Sequence, residues 1–327
     1  MFSVPSSRYI FYPIPWYSFL IVLGAFIAIL LASRQERKLG LKKDTILDLS
    51  LFLLPAGIIG ARIYYVIFSW PQFRHDFWSV FRIWEGGLAI YGGIIAGLIT
   101  LLLFCRIRKL PPLLLCDIIV PGLALAQSIG RWGNYFNMEA YGFRISDARF
   151  CFFPLAVQIP ADGNTWHLAT FFYESVWDFL VFLFLILYRR HHNNRKQGAL
   201  FFSYAYLYAC GRLIIEELRT DSLYAASSVR ISQLLSVIIC LLFIIYILNV
   251  SRHTVPKCKY FCLYTVICCL CLIVLLVYSA APRLFSSMSH RHIILMLTVC
   301  STLLVLSFFR CFIKYLEMES DYADNQV

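Results

Sequence analysis

Nine apolar runs dominate this chain, and each has about the 18 or more residues that an α-helix needs to cross a bilayer. They cover approximately residues 16–33, 45–68, 87–105, 113–130, 170–188, 198–216, 231–250, 259–280 and 292–313. Of the 327 residues, 60% are hydrophobic and only 14% are charged. We therefore predict an all-α polytopic membrane protein and not a soluble globule.

Lysine and arginine positions predict the orientation in the membrane. Seventeen of the 29 basic residues lie in alternate connections and in the C-terminal tail, although the opposite connections are longer in total. Because cytoplasmic loops are rich in basic residues, the N-terminus is predicted outside and the C-terminus in the cytoplasm. The net charge of +11 then reflects loops beside anionic lipid, and no nucleic-acid partner is expected.

The twelve cysteines lie mostly within or beside the apolar runs, where cysteine acts as a small apolar residue. No spacing of histidine and cysteine resembles a zinc site. We therefore expect neither a disulfide framework nor a bound metal, and no motif indicates a cofactor.

The densest polar cluster follows the fourth apolar run. This cassette reads Gly130-Arg131-Trp132-Gly133-Asn134-Tyr135-Phe136-Asn137-Met138-Glu139-Ala140-Tyr141-Gly142. Such polar side chains are costly beside lipid unless they face water, one another or a ligand, so the cassette is predicted to be functional. The alternative is an interfacial loop in which Arg131 extends to lipid headgroups. The whole connection, about residues 131–168, predicts a small extracytoplasmic cap with short strands around residues 152–159.

The sixth apolar run carries a second polar cluster on one helix face. At 100° per residue, Tyr208, Arg212, Glu216 and Arg219 fall within an arc of about 80°. Two arginines from different helices near the outer boundary, Arg131 and Arg212, suit the phosphate of a lipid headgroup. The alternative is an Arg212–Glu216 pair that only neutralises itself.

Glycines surround the start of the third run. Gly86-Gly87 and Gly92-Gly93 lie on either side of Tyr91, which indicates either a ligand at the helix start or close helix packing through Gly93-x-x-x-Gly97. In the second run, Arg62 is either a third phosphate-facing cation or a structural partner of Glu85 or Glu139.

Together these motifs resemble those of the prolipoprotein diacylglyceryl transferases, bacterial membrane enzymes that begin lipoprotein maturation. The resemblance covers about residues 10–250. Besides the cassette, it rests on Trp16-Tyr17, Gly60-Ala61-Arg62, Trp84-Glu85-Gly86-Gly87, Gly92-Gly93, Tyr173-Glu174, Tyr208, Gly211-Arg212, Glu216 and Ser232-Gln233.

The resemblance implies that the diacylglyceryl group of phosphatidylglycerol is transferred to the lipobox cysteine thiol of a prolipoprotein signal peptide. A thioether forms and glycerol phosphate is released, at the bacterial inner membrane. Arg131 and Arg212 would bind the phosphate and neutralise its charge. The other expected substrate contacts are Asn134, Asn137, Glu139, Tyr17, Arg62, Gly92, Gly93, Tyr208 and Glu216.

The chain departs from the family pattern at Tyr91, where many members have a histidine that is often assigned as the base. Tyrosine is a poor base at neutral pH. Either a neighbouring cation activates Tyr91, or Glu139, Glu216 or His167 accepts the proton, or phosphate stabilisation matters more than the base. We favour the last, with Tyr91 as a hydrogen-bond donor in the catalytic set.

Residues 251–327 form a second departure, an extension with two predicted spans and an acidic tail after a seven-helix core of residues 1–250. Two other functions stay open from the sequence. One is a phospholipid or anion transporter, although the spans show no evident inverted repeat. The other is an inactive homologue that serves as a scaffold.

Overall fold

The structure is a computed structural model. It describes residues 8–12, 14–74, 76–191, 197–221, 224–226 and 229–251, together with 271, 273–274, 277, 296, 299–300 and 302–308. The long helices are α1 (Trp16–Lys38), α2 (Thr45–Phe68), α4 (Ile90–Arg108), α5 (Pro112–Asn137), α6 (Thr170–His191), α7 (Ala199–Leu218) and α8 (Ile231–Ser251). A one-turn helix, α3 (Trp70–Phe73), and two 3₁₀ turns, Phe77–Phe81 and Ile83–Glu85, lie between α2 and α4.

Short strands make up the remaining regular structure. They are β1 (Tyr9–Phe11), β2 (Ile14–Pro15), β3 (Arg144–Ile145), β4 (Ala156–Ile159), β5 (Thr165–Leu168), β6 (Tyr224–Ala226) and β7 (Val229–Arg230). β1–β2 and β6–β7 form two antiparallel pairs, and β5 lies between β3 and β4 in a three-stranded antiparallel sheet.

Among the described residues, α1, α2, α4, α5 and α6 are long and apolar enough to cross a membrane. The predicted polytopic all-α character is therefore confirmed. The first seven predicted spans each coincide with a helix, within a few residues at most ends, although α5 continues to Asn137 and not to residue 130. The expected spans 259–280 and 292–313 fall mostly outside the described residues, and the acidic tail lies wholly outside them.

The chain forms two compact units. The first contains Met1–Gly24, Ala124–Asn194 and Leu200–Val327, and the second contains Ala25–Leu123 and Arg195–Ala199. Helices α1, α5 and α7 contribute residues to both units, α7 only Ala199 to the second. The predicted division at residue 250 is a different one, and it stays a prediction.

The second unit is built on close packing of α2 against α4. A Cβ atom added at Gly92 would collide with the backbone of Gly60 and with the Cβ of Tyr64. Beside this contact, a buried core forms from Ala32, Ile46, Leu49, Leu101, Phe104, Cys105, Leu115 and Ile118. Glycine at position 92 thus allows the two backbones to approach, as in other membrane helix pairs.

In the first unit, the three-stranded sheet packs against the end of α5 and the start of α6. The buried side chains in this cluster are Tyr135, Val157, Ile159, Ala169 and Phe171. Strand β5 pairs with β4 from Ala156 opposite Leu168 to Ile159 opposite Thr165. The sequence prediction of strands near residues 152–159 therefore located β4 but not the central strand β5.

Candidate functional site

Glu174 is the centre of a buried network of charges in the first unit. Its carboxylate lies one turn into α6, and its side chain is 3% exposed. Arg131 approaches Oε2 with Nε at 2.7 Å, and Arg219 approaches Oε1 with Nη1 at 3.3 Å. Arg212 also binds Oε1. One buried carboxylate therefore holds arginines from α5, from α7 and from the residue after α7.

The polar face of α7 completes this network. Arg212 also pairs with Glu216 one turn further along the same helix. Arg219 makes a second ion pair with Asp221, at 2.7 Å between Nη2 and Oδ2. The Arg212–Glu216 pair considered as an alternative is thus present, but it is joined to Glu174 and is not isolated. Arg131 and Arg212, predicted to lie together, meet at the same carboxylate.

The cassette begins as helix and not as a loop. Gly130–Asn137 form the last two turns of α5, which places Arg131 on a rigid element beside α6. The interfacial-loop alternative for these residues is therefore wrong, because Arg131 pairs with a buried carboxylate and is only 21% exposed.

The two cassette asparagines bind the cassette glutamate. Nδ2 of Asn134 and Nδ2 of Asn137 donate to Oε1 of Glu139 at 3.0 and 3.1 Å. These bonds show that the two amides hold the cassette, and their contact with substrate stays a prediction. Glu139 in turn has a carboxylate whose position is fixed by two side-chain donors.

Gly142 connects the cassette to the end of α7. Its N–H donates to the carbonyl of Leu168, and the next residue, Phe143, donates to the carbonyl of Leu218. A Cβ atom at position 142 would lie 2.5 Å from that Leu218 oxygen. Only glycine fits this space. The close contact at Leu218 places the cassette directly beside the next residue, Arg219.

Two predicted tyrosines lie in the same unit. The ring of Tyr17 packs on Gly133, close enough to exclude a side chain there. Tyr208 stacks on Tyr204 with 5.9 Å between ring centroids. Both tyrosines are half-buried.

A small cavity lies within the charge network. It is lined by Arg131, Glu174, Trp177, Asp178, Tyr208, Gly211, Arg212 and Ile215, and it has space for about one water molecule. Charged side chains around such a space are expected where a polar group of a ligand is bound in a membrane protein. This cavity is the candidate site.

Four predicted site residues belong to the second unit, namely Arg62, Tyr91, Gly92 and Gly93. Arg62 is buried, and all three nitrogens of its guanidinium donate to backbone carbonyls, including Ser79 and Gly86 at 2.6 Å and Val80 at 2.8 Å. This geometry favours a structural role, but its partners are carbonyls and not the expected Glu85 or Glu139. Arg62 therefore fixes the loop before α4.

The glycines at the start of α4 are explained by packing. Gly93 faces Gly57 of α2, whereas a Cβ atom at Gly97 would meet nothing within 4 Å. The helix contact therefore runs through Gly92 and Gly93, and the expected Gly93-x-x-x-Gly97 motif is not the contact. Tyr91, half-buried beside them, lies with its ring centroid 6.4 Å from that of Tyr64. Substrate contact by these three residues stays a prediction.

His167, one of the alternative bases, has both ring nitrogens engaged in the sheet. Nδ1 lies 3.0 Å from the Gly142 carbonyl, and Nε2 lies 2.8 Å from Asp162 Oδ2 and 2.9 Å from the Thr165 hydroxyl. These contacts explain the histidine as part of the frame that holds the end of the cassette.

The predicted site does not include Glu174, Asp178 or Arg219. A signal for the first two was present, because carboxylates four residues apart in an apolar run lie on one helix face. For Arg219 the signal was the shared face with Arg212. What the sequence could not indicate is that one carboxylate would bind three arginines.

Apolar helices of membrane-spanning length that carry a buried arginine–carboxylate network define a multi-pass membrane protein. Residues 7–249 match the family described as prolipoprotein diacylglyceryl transferase, and the chain belongs to that family.

Relatives with the name phosphatidylglycerol–prolipoprotein diacylglyceryl transferase support this. The protein of Oceanobacillus iheyensis is 44% identical over 249 residues, which are 74% of this chain and 85% of the relative. That of Lactobacillus gasseri is 44% identical over 253 residues, covering 76% and 90%. That of Streptococcus agalactiae is 42% identical over 242 residues, covering 74% and 93%.

Proposed function

We propose that this protein transfers the diacylglyceryl group of phosphatidylglycerol to the lipobox cysteine of prolipoproteins, the first step of lipoprotein maturation. Family membership and relatives at 42–44% identity support the reaction. The observation that carries the assignment to a site is the pair of arginines, Arg131 and Arg212, held on one buried carboxylate and lining one cavity.

The reaction places specific demands on the site. The thiol sulfur must form a bond to the glycerol carbon while the bond from that carbon to the phosphate oxygen breaks. The bonding electrons leave with the oxygen, so the phosphate gains one negative charge. Fixed cations beside that phosphate stabilise the transition state more than the ground state.

In our proposal, Arg131 and Arg212 supply those cations. Each binds Glu174 through part of its guanidinium, which fixes the planar group, and the remaining N–H donors can bind phosphate oxygens. Glu174 is thus a positioning residue. Glu216 has the same role for Arg212 from within α7.

The other predicted contacts of the first unit extend this site. Tyr208 lines the cavity. Glu139, fixed by Asn134 and Asn137, offers a carboxylate oxygen to the hydroxyl groups of the glycerol headgroup. Tyr17 supports the cassette through Gly133. For Tyr91, in the second unit, we propose separately a role as hydrogen-bond donor, with Gly92 and Gly93 setting its position through helix packing.

We further propose that the protein lies in the bacterial inner membrane with its N-terminus outside. The asymmetry of lysine and arginine supports this orientation. The residues 131–168 then form a cap on the outer side, where both the lipid headgroup and a secreted protein's cysteine are available.

The test is a reconstituted reaction with the full chain, labelled phosphatidylglycerol and a synthetic lipobox peptide. We expect a peptide thioether and an equal amount of glycerol phosphate. A peptide with serine in place of the lipobox cysteine is the matched control and should give no product. Absence of thioether with the wild-type protein would refute the proposed function, whereas product formation unchanged by Arg131→Ala and Arg212→Ala would refute the site.

A further inference from the structure

Asp178 carries a buried carboxylate that has no part in the proposed binding of phosphate. It lies on α6 one turn beyond Glu174, about 6 Å further along the helix axis. Its side chain is 3% exposed, and its Oδ2 atom has no hydrogen-bond partner among the described residues. Asp178 lines the same cavity as Arg131 and Arg212.

This isolation is unusual for a carboxylate on a membrane-spanning helix. Buried polar atoms are nearly always hydrogen-bonded, and an unpaired one is costly. Two buried hydroxyls close to it in the sequence or on the facing helix are bonded, since Ser175 and Ser128 donate to each other's backbone carbonyls at 2.8 Å. The arginines nearest to Asp178 are bound to Glu174, and no ion pair joins them to Asp178.

The charged and titratable groups that face Asp178 come from three helices. They are Arg131 on α5, Glu174 on α6, and Tyr204, Tyr208 and Arg212 on α7. Tyr204 donates its hydroxyl to Gln127 at 2.8 Å. Both oxygens of Glu174 form ion pairs with arginines. Of the two carboxylates that line the cavity, Asp178 is therefore the one with an oxygen outside any ion pair, which can accept a proton.

We propose that Asp178 accepts the proton of the substrate thiol, directly or through one water molecule in the cavity. This inference rests on the proposed function and assigns the proton acceptor that Tyr91 does not supply. As the sulfur–carbon bond forms, the thiol proton moves to Oδ2. The carbon–oxygen bond breaks at the same time, and its electrons leave with the phosphate oxygen.

Charge balance is the physical reason for this placement. The phosphate gains one negative charge beside Arg131 and Arg212 while the Asp178 carboxylate loses one, so the total charge of the cavity is unchanged. After release of glycerol phosphate, Asp178 returns the proton to water or to the departing phosphate. A base at this position removes the need for separate charges to develop in a poorly solvated site.

The test compares Asp178→Asn with Asp178→Glu and with Asp117→Asn in the reconstituted reaction. Asn keeps the shape but does not accept the proton, so we expect turnover at pH 7 to fall about 10²- to 10⁴-fold. The KM for phosphatidylglycerol should stay within about twofold. Asp117 is another buried helix aspartate, which accepts a hydrogen bond from Gly198, and its variant should retain turnover.

The pH profile separates a proton acceptor from a structural residue. Without an internal base, the variant depends on thiolate present in solution. Its rate should therefore rise about tenfold per pH unit up to the thiol pKa of about 8.5. The wild-type rate should be nearly flat over the same range. A merely structural defect would not be rescued by raising the pH.

Three results would overturn the inference while leaving the proposed function intact. One is an Asp178→Asn variant with turnover within about twofold of the wild type. A second is lost turnover with a raised KM and no rescue at high pH. If the Asn variant does not fold, Asp178→Glu decides, because a folded Glu variant without turnover contradicts a role for the carboxylate as base. Loss of the wild-type reaction itself would refute the proposed function instead.

Discussion

Arg131 Nε lies 2.7 Å from Glu174 Oε2, while Arg212 binds the other oxygen of the same carboxylate. The two arginines are 81 residues apart in the sequence, and their spacing is fixed by a third side chain on a third helix. This arrangement gives Glu174 a different role from that of a simple counter-ion. It sets the geometry in which two cations face one cavity.

Replacement of Glu174 by glutamine should destabilise the protein strongly. The variant leaves three arginines around a neutral amide, and loss of one partner from a buried ion pair typically costs about 3–5 kcal/mol. Chemical unfolding in detergent micelles measures the difference. Glu85→Gln is the control, since Glu85 is half-exposed in a 3.5 Å pair with Arg82 and should cost less than about 1 kcal/mol. Equal effects of the two substitutions would contradict the central position of Glu174.

Lysine should not replace arginine at position 131 or 212. Lysine keeps the charge but lacks the planar group that binds Glu174 and phosphate together, so Arg131→Lys and Arg212→Lys should each lower turnover by about 10² or more. The readout is thioether formation at saturating lipid. Arg149→Lys, at a side chain 81% exposed in the sheet region, should leave turnover unchanged. Retention of wild-type rates in both lysine variants would show that charge alone suffices.

Alanine at Gly142 should destabilise the protein, whereas alanine at Gly97 should not. The added methyl group at position 142 would press on the Leu218 carbonyl at 2.5 Å, and such overpacking costs about 1–3 kcal/mol. At Gly97 nothing lies within 4 Å, and the better helix propensity of alanine favours a gain of about 0.5–1 kcal/mol. Unfolding free energies of the two variants provide the comparison. The prediction fails if their order is reversed.

Tyr91 should act through its hydroxyl group and not as the base. Tyr91→Phe removes the hydrogen-bond donor and should lower turnover about tenfold without a change in the pH profile. Tyr91→His restores a donor and should recover most of the rate. Full activity in the Phe variant would exclude any role of the hydroxyl. A changed pH profile would instead indicate that Tyr91 takes part in proton transfer.

The sheet that follows the cassette should become less stable in acid. Hydrogen bonds from Thr165 and His167 lower the pKa of Asp162 below its ordinary value. A carboxylate with a lowered folded-state pKa contributes stability above its unfolded pKa of about 3.9, and this contribution is lost as the pH falls through the folded value. Protease resistance of residues 144–168 should therefore differ between the wild type and Asp162→Asn at pH 6. The difference should shrink as the pH falls below the unfolded pKa of about 3.9, and a constant difference would contradict this account.

The seven long helices of residues 16–251 were predictable because apolar length is a local property of the sequence. The face shared by Tyr208, Arg212 and Glu216 was predictable for the same reason, since helix periodicity fixes it. The role of Arg62 was not, because its partners are backbone carbonyls that only the fold brings to it. Likewise, the continuation of α5 to Asn137 depends on Glu174, which provides a buried partner that offsets the cost of placing Arg131 in a helix.

The matched family residues end at 249, yet Leu304, beyond them, is fully buried and contacts α7. The Tyr206 hydroxyl, on a side chain 1% exposed, donates to the carbonyl of Leu304 at 3.0 Å, and its ring stacks on Phe308. A shortened chain that stops near residue 250 would therefore lose this hydrogen bond and the Phe308 ring that packs on Tyr206. Tyr206 precedes Arg212 by less than two helical turns, so the described residues of the C-terminal segment support the helix that presents Arg212 to the candidate site.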